Sequence, residues 1–292
     1  MSTNAPAINE LRVEGAAGID LAATRWNPPC AARGTVLFLH GGGQTRHSWR
    51  RTAQTLADDG WTTVAVDARG HGDSDWSPDG DYGLGVLADD LRAVVAALGV
   101  RPVLVGASLG GRTALLAEGE GPSLAAGLVL VDVTPRVDRT GVDRILDFMR
   151  SGLDGFASLE DAADAIAAYD PSRQRPAHLD GLRRNLRWRD GRWFWHWDPR
   201  FVAGDAPTPE RPGRADPERA CAAAARVVVP TLLVRGVQSE VVSPEAAAEL
   251  RELIPHAEQI DVDGAGHMVT GDDNDVFTTG LRAFLQGTAD QS

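Results

Sequence analysis

The chain has 292 residues and a formal net charge of −12, and 43% of its residues are hydrophobic. This length is enough for one large domain or for a domain that carries an insertion, and the negative charge argues against nucleic acid or an anionic membrane as a partner. The sequence contains no lysine, so all 29 basic residues are arginines. Schiff-base chemistry, covalent pyridoxal phosphate, the Walker lysine and a Ser-Lys dyad are therefore excluded.

The first residues and the two cysteines bear on the expected compartment. Residues 1–6 lack the basic and then apolar regions of a secretory signal, and no apolar run approaches the ~18 residues of a membrane helix. We therefore expect a cytoplasmic protein. Cys30 and Cys221 fit no metal-ligand spacing, so we expect free thiols, with a disulfide as the less favoured alternative, and neither a metal nor a cofactor.

Strand-like and helix-like segments alternate along the first 135 residues. After a β-hairpin, each strand is a short apolar run, which is typical of strands that are buried on both faces. The predicted strands are Ile8–Glu14, Ile19–Trp26, Thr35–Leu39, Thr62–Val66, Val103–Val105 and Leu128–Val131. The predicted helices are Trp49–Asp59, Leu84–Leu98 and Arg112–Glu118. This alternation predicts an α/β fold with a mostly parallel, doubly wound sheet.

The alternation stops between residues 136 and 226 and then resumes. The middle region shows helical patterns but no buried strand, at Val142–Ser151, Ser158–Tyr169 and Leu179–Arg187. After it come strands Val229–Arg235 and Ala257–Val262 and helices Ser243–Leu253 and Asp275–Leu285. We therefore predict a core domain of residues 1–135 and 227–292, with residues 136–226 inserted as a helical cap.

The segment Gly106-Ala-Ser-Leu-Gly110 lies between a predicted strand and a predicted helix. That context is typical of a turn that holds a serine nucleophile at the edge of a sheet. Ser108 is the candidate nucleophile, and the alternative is a glycine-rich turn that contains a serine by chance.

A serine hydroxyl needs a base to take its proton, and the base needs an acid to orient it. His267 has the expected position for the base, in a glycine-flanked loop after the last strand. Two carboxylates compete for the role of acid. Glu240 follows the strand Val229–Arg235 and is favoured, whereas Asp132 ends the strand before it and stays open as the alternative.

Two backbone N–H groups are expected to stabilise the oxyanion of a tetrahedral intermediate. Leu109 follows the nucleophile, and Gly42 lies in the glycine loop after the strand Thr35–Leu39. We expect Gly43 and Trp49 to line the substrate pocket. Trp188 and Trp193 belong to a tryptophan-rich segment that is predicted to roof it, unless these rings pack the cap onto the core.

Five motifs together resemble the α/β-hydrolase superfamily, in its capped serine-hydrolase branch of esterases, lactonases and non-haem haloperoxidases. They are Leu39–Gly43, Asp67–Ser74, Gly106–Gly110, the turn from Gly236 to Pro244, and Gly264–His267. The resemblance implies Ser108 as nucleophile and His267 as base, and it treats Asp67–Ser74 as structural. The acid site after the penultimate strand falls on Glu240, where aspartate is usual, and this departure keeps Asp132 under consideration.

The resemblance favours hydrolysis of a small-molecule ester or lactone through an acyl-enzyme on Ser108. Serine at this position argues against haloalkane dehalogenases and epoxide hydrolases, which use aspartate. Carbon–carbon bond hydrolysis of ring-cleavage products and cofactor-free perhydrolysis stay open as other reactions. A ligand receptor on the same fold is the non-enzymatic alternative.

Overall fold

The computed structural model describes residues 5–169, 179–203, 216–267 and 275–289. Ten strands occur in chain order: β1 (Ala7–Glu14), β2 (Asp20–Asn27), β3 (Thr35–Leu39), β4 (Thr62–Val66), β5 (Val103–Ala107), β6 (Gly127–Val131), β7 (Leu186–Arg189), β8 (Arg192–Trp195), β9 (Thr231–Gly236) and β10 (Glu258–Val262). Eight of them form one sheet in the order β1-β2-β4-β3-β5-β6-β9-β10. The strands from β4 to β10 in this order are parallel, and β1 and β2 are antiparallel at one edge. The predicted α/β fold with a mostly parallel sheet is confirmed.

The described residues form, in chain order, the helices α1 (Arg50–Asp58), α2 (Leu84–Leu98), α3 (Leu109–Gly119), α4 (Arg139–Ser151), α5 (Leu159–Tyr169), α6 (Arg200–Ala203), α7 (Pro217–Ala224), α8 (Pro244–Leu253) and α9 (Asp275–Ala289). Helices cover both faces of the sheet, whereas α4, α5 and α6 contribute to a separate apolar cluster. Side chains alternate across a strand, so Leu37 and Leu39 pack on the side of α2 and α3, whereas Val36 and Phe38 pack on the side of α1 and α9. The apolar runs found in the sequence are therefore strands with two buried faces.

The region between β6 and β9 contains a hairpin that the sequence analysis missed. The predicted helix from Leu179 to Arg187 is wrong at its end, because a 3₁₀ helix stops at Arg184 and β7 begins at Leu186. β7 pairs with β8 in an antiparallel hairpin through Asp190 and Gly191, whose φ angles are 50° and 78°. Positive φ at both central residues is the geometry of the tightest hairpin turns, for which Asp-Gly is a favoured sequence.

Our division into core and cap remains a proposal, and part of the region, residues 170–178 and 204–215, lies outside the described residues. α4, α5 and the hairpin share an apolar cluster of their own, which includes Met149, Trp195 and Trp197. In contrast, Ala220 and Ala224 of α7 belong to the core cluster around α2 and α3. This packing favours a second cap boundary before α7 rather than at residue 226.

The structure also bears on two expectations from the sequence, those on the cysteines and on membrane helices. Cys30 is exposed, Cys221 is half-buried, and both are free thiols. Within the ranges given above, no helix is long and apolar enough to cross a membrane.

The parallel strands place the candidate residues at the end of the sheet where the strands have their carboxyl termini. The carboxyl ends of β3, β5, β6, β9 and β10 lie side by side there. The loops that follow these strands carry the glycine loop, Ser108, Asp132, Glu240 and His267. Residues that are far apart in sequence therefore meet in one place.

Candidate active site

Ser108 occupies a strained turn between β5 and α3. Its φ and ψ are 46° and −112°, an unfavourable conformation for a residue with a side chain, of the kind that persists where the surrounding structure enforces it. Added β-carbons at Gly106 and Gly110 would lie 2.5 Å from the amide nitrogen of Gly111 and from the carbonyl oxygen of Leu39, respectively. Only glycine fits at these two positions, and the half-buried Ser108 hydroxyl lies directly at the N-terminus of α3.

His267 is held by Asp132. Its Nδ1 lies 2.7 Å from Oδ2 of Asp132, and the two side chains are only 16% and 1% exposed. Asp132 also accepts hydrogen bonds from the Gly236 N–H at 3.0 Å and from the Ser239 hydroxyl at 2.6 Å. An ionised carboxylate accepts but does not donate, so His267 carries its proton on Nδ1 and presents Nε2 as the basic nitrogen.

The expectation that Glu240 orients the histidine is not met by this geometry. The Glu240 side chain is 62% exposed and forms a salt bridge with Arg144 of α4 at 2.5 Å. The carboxylate beside His267 belongs to Asp132, the alternative acid. Ser239, which the sequence analysis did not single out, is the residue of this turn whose side chain donates to Asp132.

Hydrogen bonds fix the orientation of the peptide that contains the Gly42 N–H. The Gly41 carbonyl accepts from the Gln44 N–H at 3.1 Å and from His40 Nδ1 at 2.8 Å. Because the C=O and N–H of a trans peptide point in opposite directions, these bonds aim the Gly42 N–H away from Gln44 and His40. The Leu109 N–H begins α3 and has no intrahelical acceptor, so both predicted oxyanion donors are in suitable backbone settings.

Three buried histidines, His40, His71 and His196, form a contiguous stack behind the glycine loop. Neighbouring ring centroids are 5.2 and 5.8 Å apart. Each ring accepts a backbone N–H: from Ala68 at His40 Nε2, from Gly43 at His71 Nε2 and from Gly72 at His196 Nδ1. A backbone N–H can only donate, so each accepting nitrogen is unprotonated and all three rings are neutral. We call these residues the histidine stack.

Burial has the expected effect on the pKa values in the stack. Desolvation disfavours the charged imidazolium, and it lowers the pKa of His40 below its ordinary value. Burial lowers the pKa of His196 to about 3, helped by the neighbouring His40 and Arg187. His40 and His196 are therefore neutral supports and not sources of protons near neutral pH.

Apolar side chains cover the glycine loop, and one of them, Trp197, belongs to the tryptophan-rich segment. Met149 and Trp197 lie 3.1 and 3.3 Å from the position of an added β-carbon at Gly43, and Phe201 lies 3.6 Å from that position at Gly42. All three side chains are buried. We call Met149, Trp197 and Phe201 the apolar wall, and the sequence analysis did not single out Met149 and Phe201.

The tryptophans predicted to line the pocket have other surroundings. Trp49 is fully buried in the core, between the rings of Phe38 and Phe277. Trp188 is 56% exposed and packs edge-to-face with the half-buried Trp193. By strand alternation Trp188 and Trp193 share a face of the hairpin with the buried Leu186 and Trp195, but they lie at the turn end of that face, where the side chains are more exposed. Of the four pocket residues that we predicted, Gly43 lies against the apolar wall.

Asp67 anchors the loop from Asp67 to Ser74, which the sequence analysis treated as structural. This carboxylate is fully buried and forms an ion pair with the guanidinium of Arg46. It also accepts the backbone N–H groups of Arg46 at 2.6 Å and of Asp73 at 3.0 Å. The loop that carries His71 is thereby fixed against the sheet.

The comparisons with known proteins agree with this fold. The profile of the family described as "alpha/beta hydrolase fold" matches residues 34–273. The chain belongs to the α/β hydrolase fold family. It is 33% identical over 277 residues to the esterase Rv0045c of Mycobacterium tuberculosis, an alignment that covers 92% of this chain and 86% of that protein.

A second relative and one solved structure carry nearly the same name. The chain is 31% identical over 237 residues to 2-(acetamidomethylene)succinate hydrolase of Mesorhizobium japonicum, covering 80% of this chain and 81% of that protein. The crystal structure titled E-2-(acetamidomethylene)succinate hydrolase superposes with a TM-score of 0.80 at 25% identity, over 96% of this chain and all of the other. Family membership thus places the chain among enzymes, with esterases and other hydrolases as relatives.

The neutral histidine stack predicts a loss of stability in mild acid. The unfolded chain binds a proton at His196 below pH ~6.5, whereas the folded protein does not bind it until about pH 3. The free energy of unfolding therefore falls as the pH drops from 6.5 to 5, by about 1.4 kcal/mol per pH unit from this ring alone. Urea unfolding at pH 8, 7, 6 and 5 measures this slope, and His196→Asn should flatten it by that amount. An unchanged slope in the variant would contradict the assignment.

Proposed function

We propose that this protein is a serine hydrolase that cleaves small carboxylic esters, with lactones as the cyclic members of the same substrate class. The observation that supports it best is the buried Asp132–His267 pair, with the two side chains 2.7 Å apart at the sheet edge that carries Ser108. A carboxylate that fixes Nδ1–H leaves Nε2 free to accept a proton from a serine hydroxyl.

In the first half of the reaction, Ser108 Oγ attacks the ester carbonyl while His267 Nε2 takes the hydroxyl proton. The carbonyl oxygen becomes an oxyanion that the N–H groups of Gly42 and Leu109 stabilise, with a contribution from the N-terminus of α3. The intermediate collapses, the carbon–oxygen bond to the alcohol breaks, and His267 donates its proton to the departing alkoxide. An acyl-enzyme on Ser108 is left.

In the second half, a water molecule replaces the alcohol. His267 accepts a proton from the water as it attacks the acyl carbon, and the same two N–H groups stabilise the second oxyanion. The bond to Ser108 Oγ then breaks, and the proton returns to the serine. Asp132 stays ionised throughout and stabilises the imidazolium that forms twice in each turnover.

The apolar wall points to an ester with an apolar acyl portion. Met149, Trp197 and Phe201 are in van der Waals range of the glycine loop, so an acyl chain bound beside the oxyanion donors would contact carbon and sulfur atoms rather than charges. Burial of each methylene against such a surface contributes about 0.8 kcal/mol. The esterase named among the relatives is consistent with this substrate class.

A fluorophosphonate probe tests the proposal, because it phosphonylates an activated serine and mimics the first tetrahedral intermediate. We expect one adduct per wild-type chain in the intact mass spectrum, located at Ser108 by peptide mapping. Ser108→Ala should form none, whereas Ser158→Ala, which changes a partly buried serine just before α5, should react like wild type. An unlabelled wild-type protein would contradict a serine hydrolase and would favour a ligand receptor on this fold.

Replacement of the two candidate acids separates their roles. Asp132→Asn should lower kcat/KM for p-nitrophenyl butyrate by about a thousandfold or more, because the amide no longer holds His267 in the productive tautomer. Glu240→Gln should stay within about twofold of wild type, since it loses only an exposed ion pair with Arg144. Circular dichroism of both variants verifies that they are folded. The reverse pattern of activities would assign the acid to Glu240.

A further inference from the structure

His196 connects the β7–β8 hairpin with the glycine loop that carries a candidate oxyanion donor. It follows β8 directly, and its side chain is buried. Its Nδ1 accepts the Gly72 N–H at 2.7 Å. The proton is therefore on Nε2, which lies 3.3 Å from the Gly43 carbonyl oxygen and donates to it.

Gly43 depends on such external contacts for a fixed conformation. Its φ is +74°, in the left-handed region, and it belongs to a run of three glycines. Ordering each backbone residue costs about 1–2 kcal/mol, and glycine is at the upper end of that range. The Gly43 N–H donates to His71 Nε2 at 3.1 Å, while the carbonyl accepts from His196. The histidine stack thus holds both polar groups of the residue next to Gly42.

The hairpin is itself fastened to the loop that carries His71, so His196 has a rigid base. Arg187 of β7 donates to the Gly72 carbonyl at 3.0 Å and to the Asp73 carboxylate at 2.7 Å. The Asp198 N–H donates to the Gly70 carbonyl at 2.9 Å, and the Tyr82 hydroxyl donates to the Asp198 carboxylate at 2.5 Å. The position of His196 is therefore set independently of any substrate.

We propose that His196 is a positioning residue for the oxyanion hole, acting through the Gly43 carbonyl. The inference rests on the proposed function, in which the Gly42 N–H stabilises the oxyanion. It gives the hairpin a role in the reaction, because a side chain from this region holds the Gly43–Gln44 peptide, two peptides after the one that carries the donor. Preorganised donors are effective because they do not have to reorient as charge develops.

Two substitutions separate the two hydrogen bonds of the ring. In His196→Asn the side-chain oxygen replaces Nδ1 and still accepts from Gly72, but the donor to Gly43 is lost. In His196→Gln the amide nitrogen reaches the place of Nε2 and still donates to Gly43. His256→Asn is the control, since that imidazole lies after α8, belongs to an exposed residue and contacts only the Val229 carbonyl, at 2.8 Å, among the contacts of the described residues.

The measurements are kcat and KM with p-nitrophenyl butyrate and the rate of phosphonylation by the fluorophosphonate probe. We expect His196→Asn to lower kcat and the phosphonylation rate by about tenfold, a part of the loss caused by removing an oxyanion donor outright, with KM within about twofold of wild type. His196→Gln should recover to within about threefold of wild type. The control His256→Asn should match wild type in both assays.

Three other outcomes would overturn the inference. Wild-type rates in His196→Asn would show that the contact with Gly43 is dispensable. Equal losses in His196→Asn and His196→Gln, at matched unfolding free energies, would assign the effect to packing alone. An unlabelled and inactive wild-type protein would remove the proposed function and the inference with it, and this result is distinct from a labelled wild type whose variants do not differ.

Discussion

The site depends on one buried carboxylate, that of Asp132. A buried charge costs several kcal/mol unless hydrogen bonds and opposite charge compensate it, and Asp132 is compensated by the Gly236 N–H, the Ser239 hydroxyl and His267. These groups come from the end of β9 and from the loops after β9 and β10, and β9 lies between β6 and β10 in the sheet. The backbone of Asp132 has a positive φ of 48°, a conformation that costs about 1–3 kcal/mol. The same hydrogen bonds maintain it. The orientation of the His267 ring is therefore set by Asp132, the residue that directly follows β6.

On the opposite side of the site, hydrogen bonds to neutral groups hold the backbone in place. The glycine loop has no side chains with which to fix itself, so its peptide groups are held by imidazoles that come from three segments of the chain. Neutral rings suit this task because each offers one donor and one acceptor in fixed directions. A charged ring would lose its acceptor and release a backbone N–H. Burial keeps the rings neutral. The orientation of the loop therefore depends on the burial of these rings.

The sequence was informative where a residue's role depends on local pattern. Ser108, His267 and the glycine loop follow apolar runs that the sequence shows directly, and every strand of the main sheet was predicted within a few residues. Glu240 was favoured as the acid over Asp132, because both carboxylates follow buried strands and only the folded chain shows that Asp132 is the buried one. The Asp190-Gly191 turn between alternating arginines and aromatic residues was a hairpin signal that the sequence analysis overlooked. The apolar wall and the contact of His196 depend on tertiary packing, for which the periodicity carries no information.

The most direct test of this account is a crystal structure of the fluorophosphonate adduct. We expect phosphorus bonded to Ser108 Oγ, with the phosphoryl oxygen about 2.7–3.1 Å from the amide nitrogens of both Gly42 and Leu109, and with His267 Nδ1 on Asp132. A phosphoryl oxygen directed away from the glycine loop, or a His267 ring paired with Glu240, would contradict the assignment of the site. The same electron density would show whether the Gly43 carbonyl stays on His196 when the oxyanion hole is occupied.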